Sequence, residues 1–227
     1  MVVGVGPGNG AAFARRFASE GYAVALLART TSTSEPLAAA LGDARAYACD
    51  VTDAASVAAT FDAIALDLGP VHTLVYNAGS GTWGTVEEVT ADMLEGAFRV
   101  NTLGLLLCTQ QVVPAMKSPS GGSIIIVGST ASRRGVARTA AFAPAKAAQR
   151  SLAESMARHL WPQNIHVALI ILDGIVDSPR SRAAKADTSA DSFVSPEAVA
   201  DTAFHLATQH ASAWSFEVEA RPFNEPW

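Results

Sequence analysis

Residues 123–146 read SIIIVGSTASRRGVARTAAFAPAK, and this stretch decides the fold. Residues 123–127 form a short apolar, β-branched run between glycines, which is typical of a buried strand. The alanine-rich residues 140–160 predict a long helix, in which Pro144 is tolerated because it falls in the first turn. Phe142 and Lys146 are four residues apart, so they share one face of that helix. We expect Ser129, at the end of the strand, to lie opposite that face.

A glycine-rich loop lies near the start of the chain. Gly4, Gly8 and Gly10 follow a short apolar run and precede a helix predicted over residues 11–20. A sharp turn from strand to helix favours glycine, and the same turn lets a pyrophosphate meet the unpaired N–H groups of the helix. An ordinary tight turn is the alternative. Only three residues precede Gly4, so we expect further residues upstream of Met1.

Strands and helices alternate along the rest of the chain. Predicted strands cover residues 2–5, 22–28, 45–49, 71–76, 123–127, 165–172 and 214–218. Predicted helices cover residues 11–20, 37–41, 53–68, 87–117 and 140–160, and a last helix starts at Ser195. This alternation predicts an α/β fold, a Rossmann-like doubly wound parallel sheet with helices on both faces. With no internal repeat and no linker, residues 1–227 are predicted to form a single domain.

The central stretch resembles the active-site framework of the short-chain dehydrogenase/reductase family, whose signature is Ser followed by Tyr-x-x-x-Lys. Ser129 and Lys146 match, but Phe142 occupies the tyrosine position. The resemblance covers almost the whole chain and includes the family's Asn-Ala-Gly motif at residues 77–79. In the family, the serine binds the substrate oxygen and the tyrosine exchanges a proton. The lysine binds the nicotinamide ribose and lowers the pKa of the tyrosine.

Asn101 resembles the family asparagine that bends a long helix and holds a water connecting the lysine to solvent. A polar amide in this apolar stretch would otherwise be costly to bury. A core amide with satisfied hydrogen bonds is the alternative. By resemblance, the candidate catalytic positions are Ser129, Phe142, Lys146 and Asn101.

The resemblance also implies a nicotinamide dinucleotide cofactor. Arg29 follows the second strand, where an acid would bind a ribose 2′-OH and a basic residue a 2′-phosphate, so NADP(H) is preferred over NAD(H). A solvated loop arginine is the alternative. Asp50 resembles the family acid that meets the adenine amino group, with helix N-capping as its alternative. The predicted cofactor-binding residues are Gly4, Gly8, Asn9, Gly10, Arg29, Asp50, Val51, Asn77, Ala78, Gly79, Lys146, Gly174, Ile175, Val176 and Ser178.

The segment after the sixth strand departs from the family pattern. Asp173-Gly174 stands where the family usually has Pro-Gly, which puts the geometry of this turn in question. By resemblance, Ser178 supplies a hydroxyl where the family often has threonine, and the main chain of Ile175 and Val176 lies near the nicotinamide carboxamide. Residues 179–194 are polar and without periodicity. They predict a mobile lid over the substrate, with a plain surface loop as the alternative.

Composition excludes several classes of partner. The net charge is −5 with no block of basic residues, so neither nucleic acid nor an anionic membrane is expected. No apolar run approaches the roughly 18 residues of a membrane span. Cys49 and Cys108 lack metal-binding spacing and predict buried free thiols, no metal site and a cytoplasmic location. The resemblance implies a small-molecule substrate and a homodimer or homotetramer.

The predicted chemistry depends on Phe142. A phenyl ring can neither give nor take a proton, and general acid–base assistance is worth about 10²–10⁴-fold. We therefore expect an NADP(H)-dependent reductase acting on an activated electrophile (an iminium, a quinone or a conjugated enone). A non-redox cyclase or dehydratase on the same scaffold and a catalytically silent cofactor-binding paralogue are the alternatives. Arg133, Arg134 and Arg138 are candidates for orienting an anionic substrate, with a solvated loop as the plainer interpretation for at least two of them.

Overall fold

The computed structural model describes residues 1–118 and 120–225, and within them a seven-stranded parallel sheet forms the centre of the molecule. The strands are β1 Val2–Val3, β2 Val24–Ala28, β3 Ala44–Ala48, β4 Thr73–Tyr76, β5 Gly122–Ser129, β6 Ile165–Leu172, β7 Ile175–Val176, β8 Phe193–Val194 and β9 Glu217–Ala220. The order in the sheet is β3-β2-β1-β4-β5-β6-β9, and β7 and β8 pair separately. The predicted fold class is confirmed.

Helices cover both faces of this sheet. They are α1 Asn9–Ser19, α2 Ser34–Leu41, α3 Ala54–Leu68, α4 Ala91–Phe98, α5 Gly104–Met116, α6 Phe142–Leu160, α7 Pro179–Ala184 and α8 Pro196–Ala207. Most boundaries lie within a few residues of the predicted ones. Among the described helices, none is long and apolar enough to cross a membrane.

The core lies on both sides of the central strands. Ile124, Ile125 and Ile126 are fully buried, and their side chains alternate between two hydrophobic clusters, one on each face of the sheet. All of β6 is buried as well. Continuous apolar runs of this kind are what a parallel sheet covered on both faces requires. The carboxyl ends of the strands consequently meet at one edge of the molecule, where the site lies.

The helical region predicted over residues 87–117 is interrupted. It begins later than predicted, at Ala91, because the Thr90 hydroxyl accepts a hydrogen bond from Met93 N at 3.2 Å and caps the helix there. A π-helical turn over Arg99–Leu103 then separates α4 from α5. Turns of this type are frequent at functional sites. Its central residue is Asn101, so the α-helical hydrogen-bond pattern is interrupted at the residue for which a bend was predicted.

Two later segments also differ from the prediction. Residues 179–194 are not irregular throughout, since they contain α7 and β8, and a reciprocal capping box between Ser178 and Ser181 starts α7. The last strand is Glu217–Ala220 rather than 214–218. The Trp214 ring stacks on His166 at 4.7 Å between centroids, which holds this part of the chain in a packed turn before the strand begins.

Candidate active site

A cleft of about 570 Å³ opens at the carboxyl ends of β1, β2, β3 and β4. The predicted cofactor-binding residues that line it are Gly4, Arg29, Asp50, Val51, Asn77, Ala78 and Gly79. The other predicted residues, Gly8, Asn9, Gly10, Lys146, Gly174, Ile175, Val176 and Ser178, are not part of this lining. Four strand ends therefore contribute to one cleft, as expected for a doubly wound sheet.

Close backbone packing shapes the glycine loop. Gly4 has a φ of +91°, and a Cβ there would lie 2.5 Å from Ala78 N. A Cβ at Gly10 would lie 2.6 Å from Gly4 O. Gly8 is different, because the nearest atom to its Cβ position is Asp177 O at 3.5 Å, an ordinary contact. Gly4 and Gly10 thus build the turn, whereas Gly8 leaves space next to the helix N-terminus.

The start of α1 suits an anionic group. Its first turn holds no acidic residue, and its N-terminal N–H groups receive no side-chain cap. Asn9 is buried at the start of the helix, and its Oδ1, which can only accept a hydrogen bond and does not itself bind an anion, has no partner among the described residues. A pyrophosphate is the group that this combination of tight glycine turn and open helix N-terminus accommodates. The residues present therefore fit a dinucleotide.

Asn77 fixes the loop from the side of β4. Its Nδ2 donates to Gly4 O at 2.7 Å and its backbone N–H donates to Val3 O at 2.9 Å. These two bonds tie the end of β4 to the end of β1. The predicted structural role of this motif, joining neighbouring strands, is present in the structure.

Arg29 and Asp50 line the end of the cleft formed by β2 and β3. Arg29 is exposed. Asp50 Oδ1 accepts hydrogen bonds from the backbone N–H of Thr52 at 2.9 Å and from its hydroxyl at 2.8 Å, and these bonds lower the pKa of Asp50. The cap of α3 is Asp53, which accepts from Ala55 N. Asp50 is therefore an ionised acid held by its own turn at the mouth of the cleft.

Ser129 ends β5 at the neighbouring corner of the sheet edge. It pairs in register with Leu172 of β6, and its Oγ accepts a hydrogen bond from Ala131 N at 3.3 Å. Within the described residues its hydroxyl hydrogen has no acceptor. The Ser129 hydroxyl can therefore donate to the oxygen of a bound molecule.

Lys146 is buried without a carboxylate. It is 6% exposed, and its Nζ donates to Val127 O at 2.9 Å and to Gln149 Oε1 at 2.8 Å. No acidic group in the described part of the chain forms an ion pair with it. Burial lowers the pKa of Lys146 from 10.5 to about 7. The ammonium is thus poised near neutrality to lose a proton.

Gln149 is a site residue that the sequence reasoning missed. It is fully buried, and its Nε2 donates to Asn101 O at 2.8 Å while its Oε1 accepts from Lys146. Its side chain therefore bridges the lysine and the π-helical turn. The available signal was its spacing, because a polar residue three positions after Lys146 lies on the same helix face.

Asn101 is fully buried at the centre of the π-helical turn. Its Nδ2 donates to Ala97 O at 2.8 Å and to Ser80 O at 3.2 Å. Its Oδ1 has no partner in the described ranges and lies 3.3 Å from the position a Cβ would take at Gly79. Its backbone carbonyl accepts from the Gln149 amide. The relay role of Asn101 stays a prediction.

Phe142, the first residue of α6, packs against Trp83. The two rings are 5.4 Å apart between centroids and tilted by 34°. Trp83 is 57% exposed, so one aromatic surface faces solvent beside Phe142. Trp83 was also missed by the sequence reasoning. Its loop is held there by pairing between Gly84 and Thr139, a contact that separation along the chain does not reveal.

The chain has three tyrosines, and each has another place. Tyr47 donates to Asp67 Oδ2 at 2.9 Å, and Tyr76 is buried and donates to Val100 O at 2.5 Å. Tyr22 packs edge-on against Phe17 and Phe204. Each tyrosine therefore makes its contacts elsewhere in the chain, and none of these contacts involves Phe142.

The arginines considered for an anionic substrate all lie beside carboxylates. Arg133 forms ion pairs with Glu217 and Glu219, Arg138 lies 3.3 Å from Glu88, and Arg134 lies 4.0 Å from Asp173. Their charges are balanced by residues of this chain. The structure therefore favours the plainer interpretation for these three arginines.

The segment after β6 is held by polar contacts where the family usually has a proline. Asp173 accepts a hydrogen bond from the Thr130 hydroxyl at 2.6 Å and pairs with Arg221 at 3.2 Å. Gly174 has a φ of +145°, which an L side chain rarely adopts. The Ser178 Oγ accepts from Ser181 N at 3.1 Å, so this hydroxyl caps α7. The predicted contact between Ser178 and the cofactor would use the same hydroxyl group that caps α7.

Comparison with known proteins gives a consistent result. A family model described as short chain dehydrogenase matches residues 1–189. D-threitol dehydrogenase of Mycolicibacterium smegmatis is 29% identical over 224 residues, covering 93% of this chain and 86% of that protein. A short-chain dehydrogenase structure from Rhodopseudomonas palustris is 31% identical with a TM-score of 0.84, covering 98% of this chain and 97% of that one. A metagenomic short-chain oxidoreductase in complex with NADP is 28% identical with a TM-score of 0.83, covering 97% and 96%. The chain belongs to the short-chain dehydrogenase/reductase family of oxidoreductases.

Proposed function

We propose that this chain is an NADP(H)-dependent reductase of activated electrophiles such as iminium ions, quinones or conjugated enones. The observation that carries this proposal is the pairing of Phe142 with a retained, buried Lys146 four residues later on α6. The ammonium and Ser129 are kept, and the usual proton donor between them is absent. Such a site favours acceptors that need little proton donation from the protein.

Two observations support NADP(H) over NAD(H). Arg29 lines the cleft at the end of β2, where a guanidinium can bind a 2′-phosphate with two hydrogen bonds. The metagenomic relative was solved with NADP. Gly4 and the N-terminus of α1 would hold the pyrophosphate. Lys146 would meet the nicotinamide ribose, in keeping with the family pattern.

Ser129, Phe142 and Lys146 form the candidate catalytic corner, and these residues can orient and polarise an acceptor. A nicotinamide cofactor supplies the hydride when it is bound. The Ser129 hydroxyl donates to the acceptor's oxygen where it has one, and the Lys146 ammonium contributes positive charge that stabilises a developing anion. Phe142 and Trp83 offer apolar, aromatic surface that suits a planar, conjugated molecule. Hydride addition gives an enolate from an enone and a hydroquinone monoanion from a quinone, and solvent then supplies the proton, whereas an iminium gives the neutral amine directly.

The test is binding and turnover by the unmodified chain. NADPH binding would be followed by the fluorescence of the bound nucleotide, and oxidation of NADPH would be followed with a quinone, an enone, an iminium and a simple ketone. Binding together with turnover of the first three classes supports the proposal. Binding without turnover of any class supports the silent paralogue, and turnover of a non-redox substrate without NADPH oxidation supports a cyclase or dehydratase.

We also propose self-association through the exposed side of α4 and α6. Leu94 and Phe98 are 40% and 45% exposed and line a mostly apolar groove of about 580 Å³. The other lining residues are Leu103, Pro144, Ala145 and Ala148, with the charged Glu95 and Arg99. Burying this surface in a homodimer or homotetramer would remove apolar area from water. Light scattering of wild type and Phe98→Glu tests this, since the charge should yield monomers.

The buried free thiols Cys49 and Cys108 suit a reducing cytoplasm.

A further inference from the structure

Arg180 is a cation in the cofactor cleft that the sequence reasoning did not assign. It is the second residue of α7, in the segment predicted to cover the substrate, yet it lines the same cleft as Gly4, Gly6 and Arg29. Its side chain is exposed, and no carboxylate of the described residues forms an ion pair with it. An unpaired guanidinium in a cleft suited to a dinucleotide points to a phosphate ligand.

The neighbouring Arg182 shows what a structural arginine in this helix looks like. Its Nε and Nη2 donate to the two carboxylate oxygens of Asp177, both at 2.7 Å, and its guanidinium lies 4.3 Å from the centre of the Phe193 ring. Arg182 thereby anchors α7 to Phe193 of β8 and to Asp177, which lies just before α7. Since that anchoring is already supplied, Arg180 is not needed for it.

The start of α7 lies against the glycine loop. A Cβ at Gly8 would be 3.5 Å from Asp177 O and 3.7 Å from Ser178 Cβ. Gly8 immediately precedes α1, whose uncapped N-terminus suits a pyrophosphate. Arg180 follows Ser178 by two residues, and an arginine side chain is long enough to reach a group bound there. Arg29 lies elsewhere in the cleft, at the end of β2.

The Ser178 hydroxyl is already engaged. It accepts from Ser181 N as the cap of α7 and lies 2.9 Å from the Ser181 hydroxyl. The same cap fixes the orientation of the first turn of α7, to which Arg180 belongs. The segment thus offers a guanidinium at this point of the cleft, while its serine hydroxyl holds the helix.

We propose that Arg180 binds the pyrophosphate of the dinucleotide, from the side opposite the N-terminus of α1. This inference rests on the proposed function, because it requires that a dinucleotide binds. The two cleft arginines then have different roles. Arg180 contributes to binding of every dinucleotide, and Arg29 distinguishes a 2′-phosphate from a hydroxyl. Binding of the cofactor would consequently also hold α7 in place.

The experiment measures dissociation constants of NADPH, NADH and ADP-ribose by calorimetry. ADP-ribose carries the pyrophosphate without a nicotinamide or a 2′-phosphate. Arg180→Gln should weaken all three ligands by a similar factor of about 10, as expected for loss of a charge-assisted hydrogen bond. Arg29→Gln should weaken NADPH alone. Arg158→Gln, which removes an exposed arginine paired with Glu154 on α6, is the matched control and should change nothing.

Three results would overturn the assignment. Unchanged affinities in Arg180→Gln would exclude a phosphate contact. Weakening of NADPH alone would place Arg180 at the 2′-phosphate, and weakening of NADPH and NADH but not ADP-ribose would place it at the nicotinamide. If wild type bound none of the three ligands, the proposed function itself would fail, which is a different outcome from failure of the variant alone.

Discussion

The glycine loop and the candidate catalytic corner lie at the same edge of one sheet, but they are built in different ways. In the loop, backbone atoms define the shape: the Cβ positions of Gly4 and Gly10 are filled by main-chain atoms within 2.6 Å. In the corner, side chains carry the proposed chemistry: Ser129, the buried Lys146 and the ring of Phe142. A backbone cradle tolerates almost no change, whereas one side chain can be exchanged without altering the fold. On the proposed function, this difference explains how the family scaffold is kept with a phenylalanine at the position of the tyrosine.

The largest expected effect on cofactor binding comes from a change in the loop. Gly10→Ala places a methyl group 2.6 Å from Gly4 O and 2.7 Å from Val5 Cα, so the backbone of the loop must shift. We expect NADPH binding to weaken by about 100-fold. Gly96→Ala is the control, because a Cβ there has no atom within 4 Å. It should leave binding unchanged and raise the free energy of unfolding by about 0.5–1 kcal/mol. Unchanged NADPH affinity in Gly10→Ala would mean that the backbone of the glycine loop can shift without weakening cofactor binding.

The next effect concerns the buried bridge of the corner. Gln149→Leu removes the side-chain donor from Asn101 O and one acceptor from Lys146. The free energy of unfolding should fall by about 1–3 kcal/mol, the usual cost of unsatisfied buried polar groups. Chemical denaturation of this variant and of Gln110→Leu, on the exposed side of α5, measures it. The control should stay within about 0.5 kcal/mol. Equal stability of the two variants would show that the hydrogen bonds of Gln149 to Asn101 and Lys146 do not stabilise the fold.

The smallest effect is a pH dependence. Burial lowers the pKa of Lys146 from 10.5 to about 7, so above pH 7 the unfolded chain binds a proton that the folded chain does not. Stability supplied by this group therefore rises with pH between about 7 and 10, at up to about 1.4 kcal/mol per pH unit. Lys146→Met lacks this contribution. Denaturation of both chains at about pH 7 and about pH 8 should show a difference of the order of 1 kcal/mol in their pH response. An identical response would contradict the buried, unpaired lysine.

The fold could be predicted because its signals are local. Strand 165–172 is apolar almost throughout, the glycines stand between a strand and a helix, and the Asn-Ala-Gly motif follows a buried strand. Each of these patterns needs only a few neighbouring residues to be interpreted. The sheet, the cleft and much of its lining followed from them.

The rest of the site depends on contacts between distant parts of the chain. Gln149 acquires its role only when α6 packs on the π-helical turn that holds Asn101. Trp83 reaches Phe142 because Gly84 pairs with Thr139, and Arg180 enters the cleft because α7 is ordered. The start of β9 differs from the prediction for the same reason, since Trp214 stacks on His166. These are tertiary effects that override local pattern.

The most direct test compares two acceptors in wild type and Phe142→Tyr. A cyclic iminium and the ketone of the same carbon skeleton would be reduced in single-turnover reactions with saturating NADPH. The account predicts that Phe142→Tyr accelerates the ketone by about 10²–10⁴-fold and leaves the iminium nearly unchanged, because only the ketone needs the proton. Rapid ketone reduction by wild type, with no gain from the tyrosine, would contradict it.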